Sequence, residues 1–166
     1  SILPCFSASE FIDFYLKTIH PEFSWFYLGT PSNFVIQNAI SSCHNESQIG
    51  IVMADLKNFF PEMVQARRAG ILVRLAQWSS DHKRQSEDQV LGAVYRAFHS
   101  KTTAEKKKIF EAVLYLRPVD ELEDNFRISI SALGSSILIA LAGLSNEGLK
   151  PFVDNLLELP TDKLEM

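Results

Sequence analysis

The sequence predicts an all-α protein built from stacked helical units, and three observations support this. Segments with apolar residues at helical spacing follow one another, the 7 glycines and 7 prolines sit at breaks between them, and few stretches alternate as strands do. Three stretches, TPSNFVIQNAI, ARRAGILVRLA and SALGSSILIAL, each place a small or turn residue before a compact apolar helix. Aligning Asn33 with Gly70, and Gly70 with Ser135, gives spacings of 37 and 65 residues, which are typical of helical solenoids.

The first helices have recognisable start signals. In SASEFIDFYLKTI, Ser7 or Ser9 is a candidate cap, with Glu10 in the first turn. Pro21 opens the short helix PEFSWFYLG, and Pro31 opens PSNFVIQNAISSC, because proline suits the first position of a helix. These signals predict three helices before residue 45.

The remaining helices follow in the same way. ESQIGIVMADLKNFF is amphipathic and ends before Pro61. PEMVQARRAGILVRLAQWSS is predicted to form two short helices, because Gly70 weakens its middle. Pro118 marks the next break. The other predicted helices are SEDQVLGAVYRAFHS, TTAEKKKIFEAVLYL, VDELEDNFRISISAL, LGSSILIALAGL and SNEGLKPFVDNLLEL.

The chain is expected to form one domain, since no low-complexity linker divides residues 1–166. We place repeats at roughly 22–60, 61–100 and 118–160, with an extra helix near 102–116. The chain begins without Met and stops after TDKLEM. We therefore expect a fragment of a longer protein.

Composition and motifs exclude several classes of function. The net charge of -4 argues against nucleic-acid binding by bulk charge alone. Cys5 and Cys43 are too few for a disulfide scaffold and indicate reduced thiols in a cytosolic or nuclear protein. No run is long and apolar enough for a membrane span. The four histidines form no metal motif, and no nucleotide-binding or hydrolase motif occurs. We expect no enzyme activity, no cofactor and no membrane partner.

The segment SNFVIQ contains the most informative pattern. Asn33 and Gln37 lie four residues apart and share a helix face, with Phe34 beside them. Each amide offers donors and an acceptor, so the pair can form a small hydrogen-bonding fork. Two solvated polar positions on an amphipathic helix are the alternative interpretation, and a phenylalanine in such a helix usually belongs to the core.

Residues 28–77 around this motif resemble a Pumilio-type RNA-binding repeat running into the next one. In that family, a three-helix repeat carries a recognition helix close to Gly-Asn-Tyr-Val-Val-Gln. Two side chains four residues apart bind one base edge, and the residue after the first stacks on the base. The resemblance implies a right-handed, irregular solenoid that binds single-stranded RNA. It also implies that Asn33 and Gln37 contact uracil and that Phe34 stacks.

The other two stretches depart from the family pattern. With the spacing of 37, the edge-reading positions become Gly70 and Arg74, and Ile71 takes the stacking position. In the third stretch they become Ser135 and Ile139. Arg74 and Ser135 remain candidate RNA contacts, whereas a glycine and an isoleucine offer no hydrogen bond to a base edge.

Several charged and aromatic residues allow two interpretations. Arg67, Arg68 and Arg74 form a basic cluster, either a solvated face or a phosphate-binding strip, and Arg67 and Arg74 would share a helix face. We interpret Lys106–Lys108 as a solvated charge run. We expect Trp25 and Trp78 to be core residues.

The irregular repeats are most similar to the divergent nucleolar Pumilio-like proteins of ribosome biogenesis. That similarity implies a nuclear, nucleolar protein that binds pre-ribosomal RNA of the small subunit and meets other ribosome-assembly proteins. A protein-interaction scaffold of HEAT or armadillo type is the alternative, because its stacked helices need no RNA.

Overall fold

The computed structural model describes residues 6–29, 31–122 and 130–158, and these ranges are helical without any strand. The all-α prediction is confirmed. Within the described residues the α-helices are α1 (Ala8–Phe14), α2 (Phe23–Leu28), α3 (Asn33–Ser41), α4 (Glu46–Leu56), α5 (Gly70–Asp81), α6 (Glu87–Ala97), α7 (Thr103–Lys106), α8 (Ile109–Tyr115), α9 (Ala132–Leu141) and α10 (Asn146–Glu158). A π-helical turn, Tyr15–Ile19, continues α1.

Polar caps start several of these helices. Of the two predicted cap residues of α1, Ser7 is the cap, and it forms a capping box with Glu10: Ser7 Oγ accepts from the backbone N–H of Glu10, and Ser7 N–H donates to the Glu10 carboxylate at 2.9 Å. Thr102 and Glu105 form the same box at α7. The Asn45 side chain accepts from Gln48 N–H at the start of α4. These caps satisfy backbone donors that have no partner inside the helix.

The segment before α5 differs from the prediction of two short helices. It forms a 3₁₀ turn at Phe60–Glu62 and then a series of turns. Arg67 takes a positive φ of 57°, which a right-handed helix does not allow. The Arg68 side chain donates to the carbonyls of Tyr27 at 3.0 Å and Leu28 at 2.7 Å. Gly70 is therefore the first residue of α5 rather than a weak point in its middle.

The segment predicted as an extra helix, near 102–116, forms α7 and α8. The latter packs against both α9 and α10, so we interpret α8 as the first helix of the third unit. The helix predicted for VDELEDNFRISISAL is limited to a 3₁₀ turn at Val119–Glu121 and to α9, which begins at Ala132. The part of that prediction on residues 123–129 lies outside the described residues.

Three helices lie side by side, with α5 packed against α3 on one side and α9 on the other. We call α3, α5 and α9 the recognition row. In each unit a second helix follows, and α4, α6 and α10 form the flanking row. One continuous apolar core joins the rows. Trp78 crosses between units, because its indole N–H donates to the Cys43 carbonyl at 2.8 Å.

The two tryptophans have opposite environments. Trp78 is buried as predicted, with 3% of its surface exposed. The prediction that Trp25 is a core residue is wrong, because 65% of Trp25 is exposed. In α2, Phe23 and Tyr27 are the buried residues, and their i, i+4 spacing leaves Trp25 on the other side of the helix.

His99 joins the second unit to the turn that follows α8 in the third unit. Its Nε2 lies 2.8 Å from the Pro61 carbonyl oxygen and its Nδ1 lies 3.0 Å from Asp120 Oδ1. Both partners are hydrogen-bond acceptors, so this arrangement favours the ring with a proton on both nitrogens. The Pro61 carbonyl, followed by Asp120, raises the pKa of His99 against the opposing effect of burial.

Candidate nucleic-acid interface

The recognition row has one repeating burial pattern. Ile36, Ala39 and Ile40 of α3 are buried, as are Leu72, Leu75 and Ala76 of α5 and Ile137, Ala140 and Leu141 of α9. The exposed residue that follows is Ser41, Gln77 or Ala142. Between α3 and α5 these equivalent positions are 36 residues apart, and between α5 and α9 they are 65 apart.

This register corrects the spacing of 37 used in the sequence analysis. Ile71, which that spacing places at the stacking position of α5, is fully buried and cannot stack on a ligand. The burial pattern instead matches the α3 motif with Ala69, Gly70 and Val73 in α5. In α9 the matching residues are Gly134, Ser135 and Leu138, so Ser135 lies at the stacking position and not at an edge-reading one.

Asn33 and Gln37 are brought together at the start of α3. Gln37 Nε2 donates to Asn33 Oδ1 at 3.0 Å, so each amide fixes the orientation of the other. Asn33 is 6% exposed and Gln37 is half-buried. We call these two residues the reader pair. An amide carries both donors and an acceptor, which is the chemistry that a planar base edge requires.

Phe34 projects beside the reader pair and is 60% exposed. The neighbouring buried residue Ile36 anchors the opposite side of the helix in the core, so the periodicity of α3 keeps Phe34 at the surface. Asn38 Nδ2 donates to the Phe34 carbonyl at 2.9 Å and supports the helix at that point. An exposed aromatic face next to polar groups is the arrangement used to stack bases.

Gly70, the first residue of α5, lies against the Gln37 amide of the reader pair in α3. A Cβ atom at position 70 would lie 3.3 Å from Gln37 Nε2, which is tight for a side-chain contact. Glycine therefore lets the start of α5 approach the Gln37 amide closely. From the sequence, Gly70 is interpreted as a position that offers no hydrogen bond to a base, whereas in the structure it lies against the Gln37 amide.

The predicted basic cluster does not form one strip. Arg74 is exposed in the middle of α5, and its Nη1 donates to Gln77 Oε1 at 3.0 Å. Arg67 is also exposed but lies in the turn before the helix, so the two do not share a helix face. Arg68 is occupied by the Tyr27 and Leu28 carbonyls and is a structural residue.

Lys106, from the predicted charge run Lys106–Lys108, has an ordinary structural contact. Lys106 Nζ lies 4.8 Å from the centre of the Tyr95 ring, a cation–π distance.

Cys43 is a free, buried thiol, and burial raises its pKa to about 12, so it is protonated and unreactive at neutral pH. Cys5 lies outside the described residues.

Other kinds of site find no support in the described ranges. None of their helices is long and apolar enough to cross a bilayer. Histidines, cysteines and acidic residues nowhere gather there in a group of three or more that could hold a metal ion.

Comparisons with known proteins identify the repeat type. The family model described as NOP9-like PUF repeat domain matches residues 1–166. A search of curated proteins gives no match. Among solved structures, APUM23–GGAGUUGACGG and APUM23 with its insert region deleted, with GGAAUUGACGG, both superpose with a TM-score of 0.82 at 21% sequence identity.

These superpositions cover 97% of this chain but only 31–32% of the APUM23 chains. The chain thus spans about a third of the length of the structures it matches, and at this identity the likeness shows the fold alone. The PUF repeat family is non-enzymatic, which agrees with the expectation of no catalysis. Because the family model covers the chain from end to end, this chain belongs to the NOP9-like PUF repeat domain family.

Proposed function

We propose that this chain binds single-stranded RNA in a sequence-selective manner through its recognition row, and that α3 reads one uracil. The exposed Phe34 beside the reader pair is the observation that carries the proposal. Stacking a base on an aromatic side chain contributes about 1–3 kcal/mol. The APUM23 structures support the assignment, since the RNA sequences paired with that protein contain two adjacent uridines.

The reader pair suits uracil because that base presents both a donor and acceptors on its edge. The hydrogen bond between Gln37 and Asn33 holds the two amides in position before RNA arrives. Preorganised groups lose less conformational freedom on binding than mobile ones. We therefore assign edge recognition to Asn33 and Gln37, and stacking to Phe34.

Arg74 is the proposed contact of α5. Its guanidinium uses one nitrogen for Gln77, and an arginine has further N–H donors for a phosphate or a base. Arg67 adds exposed positive charge at the edge of the same unit, and Ser135 offers a hydroxyl at the stacking position of α9. Phosphate contacts position the RNA, whereas base contacts specify its sequence.

Pre-ribosomal RNA of the small-subunit pathway is the proposed ligand, and the nucleolus is the proposed location. Membership in the NOP9-like family supports both, since that family is typically nucleolar. Other ribosome-assembly proteins are proposed partners on the same ground.

Binding of a uridine-containing single-stranded RNA tests the proposal across a series of salt concentrations. Wild type is compared with Asn33→Ala/Gln37→Ala, and Gln89→Ala serves as the control because it removes an exposed amide from α6. We expect the reader-pair variant to lose its preference for uridine over cytidine while its salt dependence stays close to that of wild type. Equal preference in all three proteins would contradict base reading by α3.

A protein-contacting role for the third unit is a second candidate, favoured by Ile139. This residue is 74% exposed on α9 and occupies the position of Arg74 in α5. An exposed isoleucine at that place gives no hydrogen bond to RNA. If this surface contacts protein, Ile139→Ser leaves RNA affinity unchanged, whereas a loss of RNA affinity would assign it to the RNA path.

A further inference from the structure

We propose that the groove between α4 and α6 is a docking site for an amphipathic helix of a protein partner. The occupant would have an acidic first turn, a narrow apolar middle and a basic last turn. A cavity of about 440 Å³ lies between these two helices of the flanking row. It is separate from the recognition row, so the proposal does not depend on RNA binding.

The two helices run in the same direction, which gives the groove two distinct ends. Near their starts, Ser86 Oγ donates to Glu46 Oε1 at 3.1 Å. Beyond the end of α4, Phe60 lines the same cavity as Arg96, near the end of α6. The first end of the groove is therefore formed by the beginnings of both helices, and the second by their C-terminal parts.

Small residues form the sides of the groove. Gly50 and Ala54 line it from α4, and Gly92 lines it from α6. A Cβ atom added to Gly50 or Gly92 would meet nothing within 4 Å. Glycine is less favourable than alanine inside a helix, and no contact within the described residues requires it at either place. Both glycines leave room for another backbone to approach closely.

The floor of the groove is apolar. Met53 and Phe60 line the cavity and are otherwise almost fully buried, at 7% and 1% exposure. A flexible methionine adapts to different apolar side chains. The floor therefore favours a partner that inserts small or flexible apolar residues.

Charge is distributed unequally between the ends. Lys57 and Arg96 lie at the second end, and Asp88 lies near the first. In the part of the chain that the structure describes, none of these three side chains makes an ion pair or a hydrogen bond. Among the residues that line the cavity, a ligand would thus meet two positive charges at one end and one negative charge at the other.

These charges define the direction of the occupant. A helix running opposite to α4 and α6 places its N-terminus at Lys57 and Arg96 and its C-terminus at Asp88. Acidic residues in a first turn and basic residues in a last turn also complement a helix's own dipole. Eight residues separate Asp88 from Arg96, or about 12 Å along a helix. Asp88 and the apolar floor disfavour a polyanion such as RNA.

The proposal predicts which peptides the full chain selects from a display library of random peptides of about twelve residues, roughly three helical turns. We expect enrichment of sequences with Asp or Glu about seven residues before Lys or Arg and with small or apolar residues between them. In Gly50→Leu/Gly92→Leu, leucine fills the groove, so the enriched peptides should bind at least about tenfold more weakly. Leucine is the better helix former, and circular dichroism checks that the variant folds.

Charge reversal provides the sharper test. In Lys57→Glu/Arg96→Glu/Asp88→Lys, the library should yield peptides with the basic residue first and the acidic residue last. Asn33→Ala/Gln37→Ala should select the same peptides as wild type. Absence of enrichment, peptides that bind the Gly→Leu variant equally well, or an unchanged order after charge reversal would overturn the proposal. A loss of RNA affinity in Lys57→Glu/Arg96→Glu would assign the groove to nucleic acid instead.

Discussion

Helices α3 and α5 are built on the same pattern of buried residues but present different surfaces. Ile36, Ala39 and Ile40 are matched in burial by the corresponding apolar residues of α5. At the positions proposed to face RNA, however, α5 has Val73 where α3 has the amide of Gln37. Packing needs only an apolar side chain of suitable size at the right period, whereas base reading needs particular polar groups. A solenoid can therefore keep the packing of its repeats while individual units lack the polar side chains that base recognition needs.

The buried position that Asn33 occupies in α3 holds a different residue in each of the three units. It holds Asn33 in α3, Ala69 in α5 and Gly134 in α9. At Gly134 a Cβ atom would overlap the carbonyl oxygen of Val113 and lie 2.8 Å from that of Leu114. The close approach of α8 leaves no space for any side chain. In the third unit, the close packing of α8 therefore excludes an amide side chain at this position.

Gly134→Ala is expected to have the largest effect on stability. The methyl group would push α9 away from the α8 carbonyls, and overpacking of this kind costs about 1–3 kcal/mol. Urea unfolding should show a correspondingly lower free energy of unfolding. Ser136→Ala, at an exposed position two residues further along α9, is the matched control and should change stability by less than about 0.5 kcal/mol. Equal stability of both variants would show that α8 and α9 are not in contact here.

Much of this architecture could be predicted from the sequence, because helices and caps depend on local signals. The Ser7 and Glu10 signal and the apolar periodicity of α4, α5 and α6 are patterns of residues that are close in sequence. They correctly predicted helices at these places. The reader pair was found in the same way, since i, i+4 spacing places two side chains on one face of any helix.

The register and the turns could not be predicted, because they depend on contacts between distant residues. The turn before α5 exists because Arg68 binds the Tyr27 and Leu28 carbonyls, about 40 positions earlier. Because the sequence does not show where that turn ends, the residues were aligned with a spacing of 37 instead of 36. Trp25 was misplaced for a similar reason, since only the packing of Phe23 and Tyr27 decides which side of α2 is buried.

Transfer of the reader pair to α5 tests the register directly. In Ala69→Asn/Val73→Gln, the new amides occupy the positions equivalent to Asn33 and Gln37. We expect a second uridine preference of about tenfold, because a well-placed pair of base contacts contributes about 1–3 kcal/mol of discrimination. Competition binding with RNAs that differ at one base measures it.

Gly70→Asn/Arg74→Gln is the control for that transfer. It places the same two amides according to the spacing of 37 and should give no new preference. If this variant gained selectivity while Ala69→Asn/Val73→Gln did not, the equivalence of α3 and α5 at 36 positions would be wrong.

Contacts between the units hold them together, and His99 makes one of these contacts. Its folded-state pKa is raised, so its contribution to stability is complete below the unfolded value of about 6.5 and is lost as pH rises through the folded value. His99→Gln should therefore be less stable than wild type by about 1 kcal/mol at pH 5.5. At high pH the difference should shrink. Thermal unfolding at both pH values measures it, and a difference that grows with pH would contradict the charged contact.

Gly70→Ala should have the smallest effect on stability and still separate the two roles of the recognition row. The Gln37 amide is the flexible end of a side chain, so it can move by the few tenths of an ångström that a Cβ atom at 3.3 Å requires. We expect a change of less than about 0.5 kcal/mol in the free energy of unfolding. The uridine preference should nevertheless fall by a few-fold, because a displaced amide no longer meets the base edge with good geometry. Unfolding and base-preference measurements on the same preparation provide the comparison. If preference and stability both stayed at wild-type values, Gly70 would not shape the reader pair, and its place beside Gln37 would follow from helix packing alone.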